Sequence, residues 1–104
     1  MTDILTLIQR TPARDDQGDP VLLETRRDVF CGVRSISQQE FYQASATDFH
    51  PELKLVMADY LDYRDERLVE YNGIRYSVIR TYRAGQELEL TVERAAAEDG
   101  GLNG

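Results

Sequence analysis

The sequence predicts a mainly β protein: a small antiparallel β-barrel or sandwich of five to six strands with one short helix in a long loop. Three observations carry that expectation. Short runs of apolar residues alternate with polar ones along most of the chain, an Asn72-Gly73 pair separates two such runs, and 104 residues suffice for one domain with a single thin core.

Residues 4–9, Ile-Leu-Thr-Leu-Ile-Gln, begin apolar on both faces and suit a strand packed on two sides. Residues 11–20 collect two Pro, four charged groups and a Gly, a composition that reads as an exposed loop. From Val21 to Ile36 the chain favours strand again. Val29, Cys31 and Val33 alternate there against Phe30, Gly32 and Arg34, and Gly32 suggests a bulge or bend.

Ser37-Gln38-Gln39-Glu40 has the form of a capping box, so a helix is expected to start there and run to about Ser45. So short a helix is unstable alone and must lean on something. Residues 47–52, including His50-Pro51, form a connection. Leu53, Leu55 and Met57 then alternate with Lys54, Val56 and Ala58 as a third strand. Residues 59–67 carry six charged groups and two Tyr, the pattern of a solvated loop with partly buried rings.

Asn72-Gly73 predicts a two-residue type I′ hairpin, because both residues tolerate positive φ. That turn sets Tyr71 opposite Ile74, Glu70 opposite Arg75 and Val69 opposite Tyr76, with Val78 continuing the apolar face. A second hairpin turns near Arg83-Ala84-Gly85. A three-residue loop there is expected to set Val78 against Leu90 and Tyr76 against Val92. The folded domain is thus expected over residues 1–94, with residues 95–104 a disordered tail.

Composition narrows the function. The formal charge of −7 opposes nonspecific binding to a phosphate backbone. Eleven of the twelve basic residues are Arg, leaving Lys54 alone. No apolar run approaches the roughly 20 residues of a membrane-spanning helix, and the first residues have no secretory-signal pattern, so a soluble protein is expected. The single Cys has no partner in the chain for a disulfide, which fits a reducing compartment.

Candidate chemistry is sparse. Cys31 and His50 could form a nucleophilic pair, but a small thiol in an alternating strand is ordinary packing. One His and one Cys cannot supply a zinc tetrad, and Asp15, Asp16 and Asp19 lack the flanking pattern of a calcium loop. Glu87, Glu89 and Glu93 lie along one solvated strand face, without the contrast of environment that an acid/base pair needs. No catalytic, cofactor or metal site is therefore expected. Ile79 is an apolar residue on the face opposite Tyr76 and Val78, and suggests contact with a second layer or another subunit.

Several landmarks occur in order along the chain. A first strand ends Arg10-Thr11; Val29-Phe30-Cys31-Gly32-Val33-Arg34-Ser35-Ile36-Ser37 follows, then Glu40-Phe41-Tyr42-Gln43-Ala44 and Pro51-Glu52. Beyond these stand Glu70-Tyr71-Asn72-Gly73, Arg75-Tyr76-Ser77-Val78, Arg80-Thr81-Tyr82 and Glu87-Leu88-Glu89-Leu90. In this order and spacing the chain, from Ile4 to about Glu93, resembles the small head closure or head–tail joining (connector) proteins of long-tailed bacteriophages.

The resemblance implies a structural virion-assembly protein, not an enzyme, that joins the head connector to the tail and helps close the DNA channel after packaging. Its implied partners are portal or adaptor connector proteins and tail-completion proteins. Its copies would form a ring on the connector, the free protein being able to stay monomeric. DNA would pass nearby without specific binding, and the setting is the virion, with the host bacterial cytoplasm during assembly. In the family, a long loop between early barrel strands is mobile and projects into the channel as a plug; the matching segment is 37–52. Gln38, Gln39, Gln43, Thr47, Asp48 and His50 are then the gating-loop candidates, and Arg34, Glu40, Phe41, Tyr42 and Ile79 the candidates for partner or ring contacts. Residues 59–67 are more charged than the family's usual Asp-Tyr turn, so tail-facing contacts are not carried over to them. The alternative is a small β-barrel binding module for peptide or single-stranded nucleic acid, since exposed aromatics can stack bases.

Overall fold

The computed structural model describes residues 2–96. Six antiparallel strands occur in it: β1 (Asp3–Arg14), β2 (Pro20–Arg34), β3 (Pro51–Met57), β4 (Leu68–Tyr71), β5 (Ile74–Ala84) and β6 (Glu87–Arg94). They close into a barrel in the order β1-β2-β3-β6-β5-β4, with β4 pairing back onto β1. One helix, α1 (Gln38–Ser45), lies between β2 and β3, and a single 3₁₀ turn (Tyr60–Asp62) precedes β4. The barrel alternative, not the sandwich, is the observed architecture.

Period-two alternation builds the core. Leu5 and Leu7 of β1, Cys31 of β2, Leu55 and Met57 of β3, Val69 of β4, Tyr76 and Val78 of β5, and Leu88, Leu90 and Val92 of β6 form one buried cluster. Both faces of β1 are indeed used: Ile8, opposite Leu68, is buried outside that cluster. The Asn72-Gly73 turn has φ of 58° and 79°, and all three predicted pairs across it form.

The second hairpin differs from expectation. Its loop is the two residues Gly85-Gln86, with Gly85 at φ 64° and Ala84 opposite Glu87. Continued without a break, that register would bring Val78 opposite Glu93 and put a carboxylate against the core. A β-bulge between Val78 and Arg80 absorbs one residue, so Val78 meets Val92 while Leu90 faces Thr81 and Tyr76 faces Arg94. The extra residue is Ile79. Gly32 makes no bulge; its pairing with Val56 continues the ladder, and the other irregularity falls between Pro51 and Leu53.

The expected loop over residues 11–20 is mostly strand. Thr11, Pro12 and Ala13 pair with Leu23, Leu22 and Val21, leaving a turn of residues 15–19. Pro12 is tolerated because β1 pairs with β4 only from Leu5 to Ile8, so its missing N–H falls on an unpaired edge. Asp15 holds the turn by accepting from the Gln17 and Asp19 backbones at 3.0 and 2.9 Å, and Arg14 donates to the Gly18 carbonyl at 2.7 Å. The result is a two-stranded arm reaching beyond the barrel, consistent with the molecule's 49 Å long axis.

The segment 59–67 is not simply solvated. Tyr60 and Tyr63 are half-buried as expected, but Glu66 is only 3% exposed and pairs with Arg27 at 2.7 Å. The expected tail falls mainly on residues 97–104, outside the described residues; Ala95 still bonds the Arg75 carbonyl at 3.0 Å.

Candidate functional site

The helix begins where the sequence places it. Ser37 Oγ accepts from the Glu40 backbone N–H and Glu40 Oε1 accepts from the Ser37 N–H, both at 3.2 Å, which closes the capping box. No residue of α1 is buried, so the helix owes little to packing. Its attachment is electrostatic. The other Glu40 oxygen lies 2.6 Å from Lys54 Nζ on β3 and 3.1 Å from Arg80 on β5. Lys54 also reaches Glu89 at 3.5 Å, and Glu89 meets Arg34 at 3.2 Å. One charge network thus crosses the outer face of β2, β3, β6 and β5, with Glu40 as the tether of the helix.

The bond from Lys54 holds the Glu40 carboxyl down at about 2, against a desolvation penalty and with further help from Ser37. Because this value lies below the ordinary carboxylate value of 4.5, the tether is at full strength at neutral pH and is lost as pH falls from about 4.5 to 2. Glu40→Gln keeps an acceptor for the capping box but removes the charge. The substitution is expected to weaken docking of residues 38–49 by about 1–2 kcal/mol, since the side chain is partly solvated. Amide exchange there should rise about tenfold at pH 7 while the barrel strands are unchanged, and wild type should show the same rise below pH 4. Unchanged exchange in the variant would rule out the tether.

After α1 the chain turns sharply. Thr47 and Phe49 donate backbone bonds to the Ala44 carbonyl at 2.9 and 3.2 Å, and Asp48 takes φ 65°. The His50 N–H donates to Glu93 at 2.9 Å, fastening the segment to β6. A groove of about 250 Å³ lies between this segment and the barrel, lined chiefly by Ala44, Phe49, Pro51, Ile79 and Thr91, with Glu40 and Arg80 at its polar side. The bulge at Ile79 supplies part of its apolar wall, so the second layer expected over that residue is α1 and the turn after it.

The predicted residues divide into groups. Glu40, Gln43, Thr47 and Ile79 share the groove, while Arg34 joins it only through Glu89 and Lys54. Phe41 and Tyr42 stay 44% and 66% exposed, their rings edge to face at 6.4 Å. Gln38, Gln39, Asp48 and the His50 side chain are exposed. Cys31, fully buried, has its thiol pushed up to about 11 by burial and then by the Asp3 charge, which leaves almost no thiolate at neutral pH. Among the described residues no group of three or more His, Cys, Asp or Glu could hold a metal ion.

Sequence reasoning missed Lys54 and Arg80 as partners of Glu40, Glu89 as the carboxylate that joins Lys54 to Arg34, and the arm. Lys54, the sole lysine and set in a strand otherwise rich in apolar residues, was the available signal. The arm carries Leu22 and Leu23 at 63% and 55% exposure. No protein-family model matches the sequence, and no curated protein matches it either.

Proposed function

We propose that this chain is a structural virion-assembly protein that joins the phage head connector to the tail and helps close the DNA channel. The observation that carries this reading is the division of labour in the fold. The barrel interior is filled by its own side chains, whereas many of the exposed large apolar groups, Leu22, Leu23, Phe41, Tyr42 and Phe49, sit on the arm and on the segment between β2 and β3. A closed scaffold that presents apolar contacts on projecting segments suits assembly better than pocket chemistry.

Residues 37–52 are then the gating element, with Glu40 tethering it to the barrel, and Arg34, Phe41, Tyr42 and Ile79 supplying contacts to connector or neighbouring copies. A charge of −7 per copy, repeated around a ring, lets DNA pass without being held. The chemistry is mechanical: positions and charges matter, and no bond is made or broken.

Deleting the gene from its phage and imaging particles by electron microscopy tests the proposal. Heads that lose DNA and carry no tails are the expected result. Deletion particles that keep their DNA and attach tails would overturn it. Salt-sensitive retention of single-stranded DNA by the purified protein would instead favour a nucleic-acid-binding module.

A further inference from the structure

The β1–β2 arm has two free edges, and the chain treats them differently. Strand β1 pairs with β4 only from Leu5 to Ile8, and β2 pairs with β3 only from Cys31 to Arg34. Over the arm the outer edge of each strand has no neighbouring strand among the described residues. Pro12 interrupts the β1 edge, one of the devices that keep an edge from pairing. The β2 edge carries no such device: no proline occurs from Val21 to Phe30, and the register against β1 runs without a bulge.

Alternation fixes which backbone groups that edge presents. The Asp15 N–H donates to the Asp19 carbonyl at 3.0 Å, so this pair is bonded across the arm, and with it every odd-numbered pair of the unbroken register. The N–H and C=O of Leu22, Glu24, Arg26, Asp28 and Phe30 therefore point away from β1, and among the described residues no other backbone segment bonds them. All five residues are exposed. The charged side chains among them are drawn back across the sheet, Glu24 to Arg10 and Arg75, Arg26 to Glu70, and Asp28 to Thr6. What faces solvent along the edge is open backbone with an apolar group at each end, Leu22 at 63% and Phe30 at 62% exposure.

A second copy of the same edge is a poor match. In an antiparallel pair the outward-pointing residues must face one another, so few registers exist. The register that matches Leu22 with Phe30 also sets Arg26 against Arg26 and Glu24 against Asp28. Those that match Glu24 with Arg26, or Arg26 with Asp28, set Leu22 against Asp28 or Glu24 against Phe30 instead. Like charges directly opposite destabilise a sheet, and an apolar group opposite a carboxylate gains nothing.

We propose that the β2 edge from Leu22 to Phe30 takes up an extended segment of a different protein as an added antiparallel strand. The edge defines the segment's chemistry. It is apolar at its two ends, against Phe30 and Leu22, and uncharged and β-branched where it faces Glu24, Arg26 and Asp28, because those side chains already have partners. Main-chain bonds supply the affinity and the apolar ends fix the register. The biological setting rests on the assembly reading, in which the donor is a connector or tail protein; the pairing itself is tested in solution, without phage. One added strand buries an area at the low end for protein contacts, which corresponds to a Kd of about 100 μM.

The probe is the capped peptide Leu-Lys-Thr-Glu-Val-Lys-Thr-Glu-Leu, with amide hydrogen exchange read residue by residue by NMR. In the free protein the five outward amides should exchange near free-chain rates, while Thr25 and Arg27, bonded to β1, are protected. At about 1 mM peptide, ten times the expected Kd, the outward amides should slow about tenfold. Arg26→Pro removes one outward N–H without breaking a bond to β1 and should weaken binding about tenfold or more; a peptide with proline for its central valine should fail likewise. Leu22→Lys combined with Phe30→Lys, which alters exposed side chains only, replaces Arg26→Pro should that variant unfold by circular dichroism.

Three results would overturn the proposal: outward amides that keep free-chain rates in the peptide, binding undiminished by proline on either side, or wild type that pairs with itself along this edge, which would make a second copy the occupant. Each leaves the gene-deletion phenotype to decide the assembly role separately.

Discussion

Leu90→Ala is expected to destabilise the protein by about 3–4 kcal/mol, a large part of the roughly 5–15 kcal/mol available to a domain of this size. Leu90 is fully buried on β6, between Leu55 of β3 on one side and Thr81 of β5 on the other. Its removal leaves a cavity in the middle of a closed barrel whose six strands are locked by their ladders and cannot collapse inward to fill it. The thermal midpoint should fall by about 15–20 °C, and urea unfolding should shift in midpoint without a change in slope. Leu22→Ala on the arm is the contrast, with an expected change within about 0.5 kcal/mol because that side chain is already in water. A Leu90→Ala protein less than 1 kcal/mol weaker than wild type would mean that the interior cluster is not what holds the barrel.

This contrast bears on function. The barrel is a stiff frame, and the segment after β2 is fastened to it by a carboxylate, a backbone bond to Glu93 and a shallow apolar groove. Loss of those fastenings frees the segment at a small fraction of the cost of opening the frame. Such a difference in local stability is what a gate requires.

Features written in neighbouring residues were legible in the sequence. The Asn72-Gly73 turn fixed its own register because two positive-φ residues admit a single hairpin geometry. The capping box was equally local: Ser37 and Glu40 meet within one helical turn. Features set by distant residues were hidden. Pro12 and Pro20 read as loop because the sequence could not disclose that the arm's outer edges lie unpaired, where proline costs little. Gly85 marks the turn, yet Val78 and Tyr76 meet partners two residues beyond those expected, since the loop is Gly85-Gln86 and the bulge at Ile79 answers to Val92 and Glu93 across the sheet. The tether of α1 was half visible: Glu40 stood out as a helix cap, while Lys54 and Arg80 join it only after two strands come side by side.

Arg27→Met is the other substitution with a large expected effect, about 3 kcal/mol, for a different physical reason. Arg27 sits in the inward row of β2, opposite Leu7, where the arm leaves the barrel. There its guanidinium donates to Glu66 Oε2 and to the Asp62 carbonyl, both at 2.7 Å. Glu66 is 3% exposed and also accepts from the Arg64 backbone at 2.7 Å, while Tyr63 donates to the Glu66 carbonyl at 2.5 Å. Burial, followed by the nearby Glu66 charge, pushes the Tyr63 hydroxyl up to about 12, so it remains a donor at any working pH. The loop thus folds over this end of the barrel around a single carboxylate.

Removing Arg27 strands that carboxylate out of water, whereas removing both charges does not. Arg27→Met alone should therefore be far more harmful than Arg27→Met with Glu66→Leu, which should recover about half of the loss or more. The Arg side chain is 32% exposed, so water relieves part of the penalty and the upper end of the range for buried pairs is not reached. Urea titration of wild type, both single variants and the double variant closes the cycle. A coupling of about 2 kcal/mol that persists in 1 M salt is expected, because ions screen buried charges poorly. If Arg27→Met stays within 0.5 kcal/mol of wild type, the pair is a surface contact and the loop over 59–67 is held by Tyr60, Tyr63 and the bonds joining Gln86 to Asp59 and Tyr60.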